Sequence, residues 1–227
     1  MKIVIFGRNK EVISKYKKQI KKNSLVYDEK NPDIVISLGG DGTFLMAERV
    51  YPGVPKLLIR DKNVCIKCDW DSLSPILNRL KNGKYKIEEH RKLEAIYKKK
   101  VFAINDIVIR NDNPVHAIRF FLSVNGKRVN GELIGDGVVI ATPFGSTAYY
   151  YSITKKTFKK GIGIAFNNLA EKLENMNVSD NAKVDIKITR GNATLSWDNE
   201  EKTPILKKGD KIIIKLSKET AKIVKIK

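Results

Sequence analysis

The first 90 residues or so alternate short apolar runs with segments of helical periodicity. Three apolar, β-branched runs predict buried strands, at residues 3–7, 33–38 and 54–59. Three segments with apolar residues at helical spacing predict helices, at residues 11–22, 44–50 and 71–80. Asp71 or Ser72 is a candidate cap for the last helix, and Asn82-Gly83 is expected to end it. Strand and helix in this rhythm predict a parallel, doubly wound sheet.

The rest of the chain changes to alternating apolar and polar residues. Residues 96–143 and 184–227 carry most of this alternation, and Asn125-Gly126 between two such runs indicates a hairpin. Helices have room only within 146–152 and 163–176. We therefore predict two domains, an α/β domain with a parallel sheet over residues 1–93 and a mostly antiparallel, β-rich domain over residues 94–227.

The net charge of the chain favours certain classes of partner but does not identify one. The chain has 227 residues and a formal net charge of +19, which favours anionic partners such as nucleic acid, membrane headgroups, nucleotides or polyphosphate. The lysines are dispersed along the sequence, as on a solvated surface. No apolar run approaches the roughly 20 residues that span a bilayer, and the start of the chain does not resemble a signal peptide. We expect a cytoplasmic protein.

Two cysteines, Cys65 and Cys68, form a CxxC pair. Such a pair is compatible with a redox centre or with half of a zinc site. A complete zinc site would also need His90 and His116, which are far apart in sequence and share no motif spacing. We therefore expect reduced, structural thiols and assign no protein side chain to a metal.

The segment GGDGT, residues 39–43, follows a predicted buried strand and opens a predicted helix. Glycines at this place let backbone N–H groups approach an oxygen anion, and the helix N-terminus favours phosphate. The carboxylate of Asp41 in such a turn would accept a proton from an attacking hydroxyl or hold Mg²⁺. The structural alternative is a tight turn in which Asp41 caps the helix. Neither a G-x-G-x-x-G nor a Walker-type motif is present.

A second group of polar residues lies in GDGVVIATPFGSTAYYYS, residues 135–152. Hydroxyl side chains that follow a strand suit the polar edges of adenine and ribose, and the tyrosines offer an aromatic face. An ordinary turn and capped helix explains the same residues. Asn105-Asp106 interrupts a predicted strand, either as a bulge or as a binding pair.

These segments together resemble NAD kinases. GGDGT, Asn105-Asp106, residues 135–152 and SWDNEE (196–201) occur in the order and approximate spacing of that family, and KIEEHRKLEA (86–95) resembles its entry into the second domain. The resemblance implies a two-domain fold with the site in the cleft between the domains. It also implies transfer of the terminal phosphoryl group of ATP, or of polyphosphate in some members, to the adenosine-ribose 2′-hydroxyl of NAD.

The resemblance also implies roles for individual residues. Asp41 matches the proton acceptor, and the phosphate turn would consist of Gly39, Gly40, Gly42 and Thr43. Asp41 and Gly42 would also contact NAD. Asn105 and Asp106 resemble the family's Asn-Glu pair, and Asp198 matches a further site aspartate. The family's adenine and nicotinamide contacts fall on Asp136, Thr147, Ala148, Tyr149 and Ser152.

The family relationship further implies Mg²⁺ or Mn²⁺ as cofactor and a homodimer or homotetramer in which a neighbouring subunit completes the pocket. Three segments depart from the family pattern: Asp106 is one methylene shorter than Glu, a Gly-Gly-Pro stretch is missing after Ser152, and RDKNVCIKC (60–68) replaces a glycine-rich turn. Two alternatives stay open. A lipid kinase would share GGDGT but should carry a membrane-facing apolar stretch, and a basic nucleic-acid-binding protein should carry a recognisable binding motif.

Overall fold

The computed structural model describes residues 1–60 and 73–227. Within these residues the chain divides into two compact units. Unit 1 consists of Met1–His90 together with Thr220–Lys227, and unit 2 consists of Arg91–Glu219. Cys65, Cys68, Asp71 and Ser72 lie outside the described residues, so the predictions of structural thiols and of a helix cap at these positions are not addressed.

Unit 1 alternates strands and helices. Its elements are β1 (Lys2–Gly7), α1 (Lys10–Lys22), β2 (Val26–Tyr27), β3 (Ile34–Leu38), α2 (Asp41–Val50), β4 (Lys56–Ile59) and α3 (Ser74–Lys81). The four strands lie in the order β2-β1-β3-β4, and every neighbouring pair is parallel. This arrangement confirms the parallel sheet that the strand-helix rhythm predicts.

Helices cover both faces of this sheet. Ile3, Ile5 and Ile36 point to one face, where they share a buried cluster with residues of α1 and α3. Val4 and Val35 point to the other face and cluster with residues of α2. Because successive residues of a strand point to opposite faces, a strand buried on both sides has a continuous apolar sequence. The doubly wound arrangement predicted for this part of the chain is therefore confirmed.

Unit 2 is mainly antiparallel. Its elements are β5 (Tyr85–Tyr97), β6 (Lys99–Ala103), β7 (Asp106–Asn111), β8 (Ile118–Val124), β9 (Lys127–Arg128), β10 (Leu133–Ala141), α4 (Tyr149–Thr154), β11 (Ile162–Leu169), β12 (Met176–Val178), β13 (Lys183–Arg190), β14 (Ala193–Trp197), β15 (Ile205–Leu206) and β16 (Lys211–Ile226). The main strand order is β15-β14-β7-β10-β8-β13-β16, and β11 also pairs with β10. The predicted hairpin at Asn125-Gly126 is confirmed: both residues have positive φ, and β8 pairs with β9.

The chain enters unit 2 within β5 and returns to unit 1 within β16. Near the end of β16, Ile223 and Val224 pair in parallel with Lys56 and Leu57 of β4. The last strand thus adds a fifth strand to the sheet of unit 1. The sequence pattern alone assigns this segment to the β-rich half, because its alternation continues unbroken from residue 211.

One helix prediction is wrong. Residues 163–176 have room for a helix in the sequence, but Ile162–Leu169 forms β11, which pairs antiparallel with β10. Ile164 and Phe166 pack into the main core of unit 2, whereas Ala165 packs into a smaller cluster on the other face. A strand buried on both faces has no alternating pattern, so periodicity cannot distinguish it from a buried helix. The other candidate segment, 146–152, is helical as predicted.

Candidate functional site

The GGDGT turn joins β3 to α2 in unit 1. β3 is buried along its whole length, and the backbone N–H of Gly39 donates to Ile59 O at 2.9 Å, which fixes the exit of the strand. Gly39 has φ +149°, and a Cβ at this position would overlap the hydroxyl of Thr43. The turn therefore requires glycine at position 39, because a side chain there meets both strain and a steric clash.

Helix α2 begins at Asp41, with Gly40 as its N-cap. The carbonyl oxygen of Gly40 accepts hydrogen bonds from Thr43 N and Phe44 N. As a glycine, this N-cap residue has no side chain that could cap the helix. Asp41 is thus the first helical residue rather than the cap, and its side chain is exposed. An exposed carboxylate therefore lies beside a helix N-terminus, whose N–H groups carry partial positive charge and favour anions.

The opposite end of α2 is attached to β4 by a buried ion pair that the sequence pattern did not predict. Glu48 on the helix and Lys56 on β4 are both buried and form a salt bridge. Glu48 Oε1 also accepts from Gly53 N at 3.0 Å, and Lys56 Nζ donates to Tyr51 O. Replacing either residue of this buried, hydrogen-bonded ion pair would be strongly destabilising, because the other charge would be left buried without a partner. The helix that carries Asp41 is therefore fixed at its far end.

In unit 2, Ile104 and Asn105 form a bend between β6 and β7, and Asp106 follows as the first residue of β7. We call this segment the Asn105-Asp106 bend. The carboxylate of Asp198, at the end of β14, accepts hydrogen bonds from two backbone N–H groups of this bend, Ile104 N at 3.0 Å and Asn105 N at 2.8 Å. In return, Asp198 N donates to Asp106 O at 3.1 Å. Asp198 has φ +48°, a conformation that aspartate tolerates better than most residues. Its carboxylate oxygens hold the backbone of the bend.

Thr142 and Gly145, which follow β10, also contact the bend and fix its backbone. The fully buried Thr142 donates from Oγ1 to Ile104 O at 2.5 Å and from its backbone N–H to Asn105 O at 2.9 Å. Thr142 Oγ1 accepts from Gly145 N at 2.9 Å. A Cβ on Gly145 would collide with the backbone of Asn105, so only glycine permits this approach. Strand and loop segments distant in sequence thus fix the Asn105-Asp106 bend.

Asp106 is buried, with 6% of its surface exposed. Burial, and secondarily the charge of Asp198, raise the pKa of the Asp106 carboxyl to about 7, because both disfavour the ionised form. A carboxyl that is protonated near neutral pH donates one hydrogen bond and accepts others. Asp106 therefore differs in environment from Asp41, whose side chain is exposed.

The segment made of the 3₁₀ turn Gly145–Thr147, Ala148 and the short helix α4, called the α4 segment below, carries most of the predicted nucleoside contacts. Thr147 and Ser152 are exposed, and Ala148 separates a 3₁₀ turn (Gly145–Thr147) from α4. Tyr149 packs against the outer face of the sheet, and its hydroxyl accepts a hydrogen bond from Asn167 Nδ2 at 3.4 Å. The segment thus leaves hydroxyl groups accessible next to the Thr142-Gly145 contact with the bend.

Asp136 does not join these residues within one chain. In the pairing of β10 with β7, Ala141 is opposite Asp106, whereas Gly137 is opposite Arg110. Asp136 is therefore five residues along β10 from Ala141, a separation of roughly 17 Å at about 3.4 Å per residue. Its carboxylate accepts from Asn111 Nδ2 at 3.3 Å and from Asn168 Nδ2 at 3.1 Å. The structure brings Asn105, Asp106 and Asp198 together and places Asp136 elsewhere in unit 2.

The described part of the chain contains neither a metal-ligand cluster nor a membrane-crossing helix. Across residues 1–60 and 73–227, no group of three or more His, Cys, Asp or Glu side chains is placed to hold a metal ion. Over the same residues, no helix combines the length and apolar character needed to cross a membrane.

Comparison with known proteins assigns the family. Residues 104–226 match the ATP-NAD kinase C-terminal domain family. An NAD kinase from Sulfurisphaera tokodaii is 32% identical over an alignment of 241 positions, which covers 99% of this chain and 95% of that protein. The chain belongs to the NAD kinase family. This assignment confirms the resemblance to NAD kinases that GGDGT and residues 135–152 indicate.

Solved structures of NAD kinases share the fold. An NAD kinase from Archaeoglobus fulgidus in complex with ATP superposes with a TM-score of 0.78 at 19% identity, covering all of this chain and 93% of that one. A yeast NADH kinase complexed with NADH superposes with a TM-score of 0.87 at 16% identity, covering all of this chain and 84% of that one. The predicted fold class, an α/β N-terminal part followed by a β-rich part, is therefore confirmed.

Proposed function

We propose that this chain is an NAD kinase that transfers the terminal phosphoryl group of ATP, or of polyphosphate, to the adenosine-ribose 2′-hydroxyl of NAD and so forms NADP. The observation that carries the proposal is the exposed carboxylate of Asp41 at the first position of a helix, directly after a glycine turn, in a chain of this family. Neither a lipid kinase nor a nucleic-acid-binding protein gains support from the comparisons.

In the proposed reaction, Asp41 accepts the proton of the ribose hydroxyl as its oxygen attacks the terminal phosphorus. A new O–P bond forms, the bond from that phosphorus to the bridging oxygen breaks, and ADP or shortened polyphosphate leaves. General-base assistance of this kind contributes typically about 10²–10⁴-fold. The backbone of Gly40 and Gly42 and the hydroxyl of Thr43, at the α2 N-terminus, are suited to phosphate oxygens, and Gly39 keeps the turn in the required shape.

Mg²⁺ or Mn²⁺ is the proposed cofactor. Magnesium in phosphoryl-transfer sites is held largely by substrate phosphates and water with one or two carboxylates, and Asp41 is the exposed carboxylate beside the proposed phosphate turn. When bound, the ion would neutralise charge on the transferring phosphoryl group.

For NAD, we propose Asn105 and Asp106 as contacts to the dinucleotide, together with Asp41, Gly42 and the α4 segment. The contacts from that segment are Thr147, Ala148, Tyr149 and Ser152. Asp198 has a different proposed role: since its carboxylate holds Ile104 N and Asn105 N, it positions the Asn105-Asp106 pair.

We further propose a homodimer or homotetramer in which Asp136 of a neighbouring copy completes the NAD pocket. The roughly 17 Å between Asp136 and the Asn105-Asp106 bend along the β10–β7 ladder supports this arrangement, because one chain does not bring them together. NAD and the phosphoryl donor are the proposed partners, in the cytoplasm, without nucleic acid or membrane.

The decisive experiment measures NADP formation by the purified chain with NAD and Mg²⁺, once with ATP and once with polyphosphate. An NADP-specific dehydrogenase detects the product without interference from NAD. We expect NADP with at least one donor, and omission of Mg²⁺ should abolish it. Absence of product with both donors from folded protein, with salt-dependent retardation of RNA or DNA in a gel, would refute the proposal in favour of nucleic-acid binding.

A further inference from the structure

An asparagine lies beside Asp136 on each of the two neighbouring strands. Continuing the register of β10 with β7 by one residue beyond Gly137 places Asn111 opposite Asp136. In the pairing of β10 with β11, Asn168 lies between the two residues that are opposite Gly135 and Gly137. Side chains opposite each other on neighbouring antiparallel strands are close enough to interact. These three side chains therefore form a row across β7, β10 and β11, which we call the Asn111-Asp136-Asn168 row.

Each oxygen of the Asp136 carboxylate accepts a hydrogen bond from one of the two asparagines. Asn111 Nδ2 donates to Asp136 Oδ1 at 3.3 Å, and Asn168 Nδ2 donates to Asp136 Oδ2 at 3.1 Å. A carboxylate has about four lone-pair sites, so each oxygen can accept a further hydrogen bond. The side chain of Asp136 is half-buried. The carboxylate is thus held from both sides and can still bind donor groups of a ligand.

The glycines on both sides of Asp136 allow the three strands to approach closely. A Cβ on Gly135 would collide with the backbone oxygen of Asn168 on β11. A Cβ on Gly137 would overlap the backbone oxygen of Ile109 on β7, and Gly137 has φ +143°. A side chain at either position would therefore push a neighbouring strand away from Asp136. The GDG sequence brings both asparagines within hydrogen-bond distance of one carboxylate.

The amide of Asn111 serves the row through its N–H groups. Asn111 is buried, and its Nδ2 also donates to His116 O at 3.1 Å. Its Oδ1 is buried as well, and it accepts no hydrogen bond from any residue that the structure describes. A buried acceptor without a hydrogen-bond partner is destabilising. The amide oxygen therefore adds nothing to the stability of the fold, and the two N–H groups are what this side chain contributes.

Packing does not account for Asn168. Its side chain is exposed, and its backbone has φ +51° within β11. This left-handed conformation is unfavourable for residues other than glycine, although asparagine tolerates it better than most. Among residues 1–60 and 73–227, the hydrogen-bond partner of the Asn168 side chain is Asp136. The contact with this carboxylate is therefore the clearest role of the Asn168 amide.

We propose that Asn111 and Asn168 are positioning residues, which fix the carboxylate of Asp136 for its contact with NAD in the pocket of a neighbouring copy. This inference rests on the proposed function. An unrestrained aspartate side chain samples several rotamers, and ordering it when a ligand binds lowers the affinity. Because the two amides already order the carboxylate in the folded protein, NAD binding avoids this loss. The asparagines should therefore act on the KM for NAD and leave kcat unchanged.

Substitutions of Asn168 test the proposal with little risk to folding. Asn168→Gly removes the amide, and glycine adopts the left-handed backbone at this position without strain. We expect the KM for NAD to rise by about 3–10-fold, with kcat within about twofold. Asn168→Asp places a second carboxylate against Asp136, so the KM should rise further. Steady-state NADP formation at varied NAD concentration measures both constants.

Two further variants complete the set. Asn125→Gly is the matched control, because Asn125 also has a left-handed backbone, φ +52°, and its Oδ1 accepts from Lys183 N at 2.9 Å outside the proposed NAD contacts. Its KM for NAD should stay within about twofold. Asn111→Leu removes the other amide at similar volume and should raise the KM as Asn168→Gly does. If Asn111→Leu does not fold, the Asn168 variants decide alone.

A double-substitution cycle shows whether Asn168 acts through Asp136. Asp136→Ala should raise the KM for NAD, and adding Asn168→Gly to it should change the KM by less than about twofold, because no carboxylate is left to position. An unchanged KM in Asn168→Gly, an equal rise in Asn125→Gly, or a full additional rise on top of Asp136→Ala would overturn the proposal while NADP still forms. If the unsubstituted chain formed no NADP with either donor, the proposed function would fail, and this inference with it.

Discussion

Two turns of this chain carry the residues proposed for catalysis and for NAD binding, and they are built in different ways. The GGDGT turn of unit 1 is local: a buried strand ends, a helix starts three residues later, and the carboxylate of Asp41 is exposed. The Asn105-Asp106 bend of unit 2 is held by Asp198 and Thr142, which are distant in sequence. In the first turn the reactive group can change without disturbing the fold, whereas in the second the site and the fold share the same hydrogen bonds.

The largest expected effect is on the first turn. Asp41→Asn should lower turnover by about 10²–10⁴-fold, because the amide cannot accept the hydroxyl proton. NAD binding and the free energy of unfolding should stay nearly unchanged, within about 0.5 kcal/mol for the latter, because the side chain is exposed. Steady-state kinetics, calorimetric NAD binding and urea unfolding measure the three quantities.

Glu11→Gln is the matched control for Asp41→Asn, since Glu11 also lies in the first turn of a helix, α1. Its turnover should remain that of the unchanged protein. If Asp41→Asn retained turnover close to normal, Asp41 would not be the proton acceptor.

The next effect concerns the second turn and depends on pH. Since the pKa of Asp106 is raised from its ordinary 3.8 to about 7 in the folded protein, the folded state binds more protons than the unfolded state between these values. This group therefore contributes stability at low pH that is lost as the pH rises to about 7, up to about 4 kcal/mol at about 1.4 kcal/mol per pKa unit. Asp106→Asn, which cannot ionise, should gain stability relative to the unchanged protein on going from about pH 4.5 to about pH 8.

Urea unfolding of both proteins at the two pH values tests this prediction. The difference between them isolates Asp106 from all other titrating groups. A difference that does not vary with pH would mean that Asp106 ionises normally in the folded protein.

A third substitution tests whether the hydrogen bonds that stabilise the Asn105-Asp106 bend also position NAD. Asp198→Asn places an amide donor against the N–H groups of Ile104 and Asn105, so about 2–3 kcal/mol of stability should be lost. If the bend positions NAD, kcat/KM should fall by about 10–100-fold, mainly through KM. The matched control is Asp210→Asn, because the Asp210 carboxylate accepts from Lys207 N and Tyr97 Oη outside the proposed site.

Both aspartate variants should lose stability, but only Asp198→Asn should lose activity. An equal loss of activity in Asp210→Asn would show that Asp198 acts through general stability alone.

The smallest expected effect separates two adjacent glycines of the first turn. Gly39→Ala should cost about 1–2 kcal/mol of unfolding free energy, because φ is +149° and the new methyl group meets Thr43. Gly40→Ala should change stability by less than about 0.5 kcal/mol, because Gly40 has φ −91° and a methyl group there would have no atom within 4 Å. Thermal unfolding of the two variants measures the difference, and equal losses would contradict this account of the turn.

The two turns also differ in how much of each could be predicted from the sequence. The GGDGT turn is identifiable because strand, glycines and helix follow each other within a few residues. The role of Asp198 is not, since its hydrogen-bond partners Ile104 and Asn105 lie 94 and 93 residues away.

The fold shows a similar contrast. The parallel order of unit 1 follows from apolar runs of strand length separated by helical segments, and the antiparallel order of unit 2 follows from alternation. The sequence pattern fails at β11, which is apolar on both faces. It also gives no signal that β16 continues into the sheet of unit 1, because strand pairing depends on which edge is available rather than on local pattern.

The return of β16 to unit 1 has a consequence for the order of events during synthesis. Domains generally begin to fold as they leave the ribosome, starting from the N-terminus. Here the edge of β4 lacks its neighbour until residues 220–227 have been translated, long after the rest of unit 1. The sheet of unit 1 is therefore complete only when the end of β16 has been made, and until then β4 has an unpaired edge.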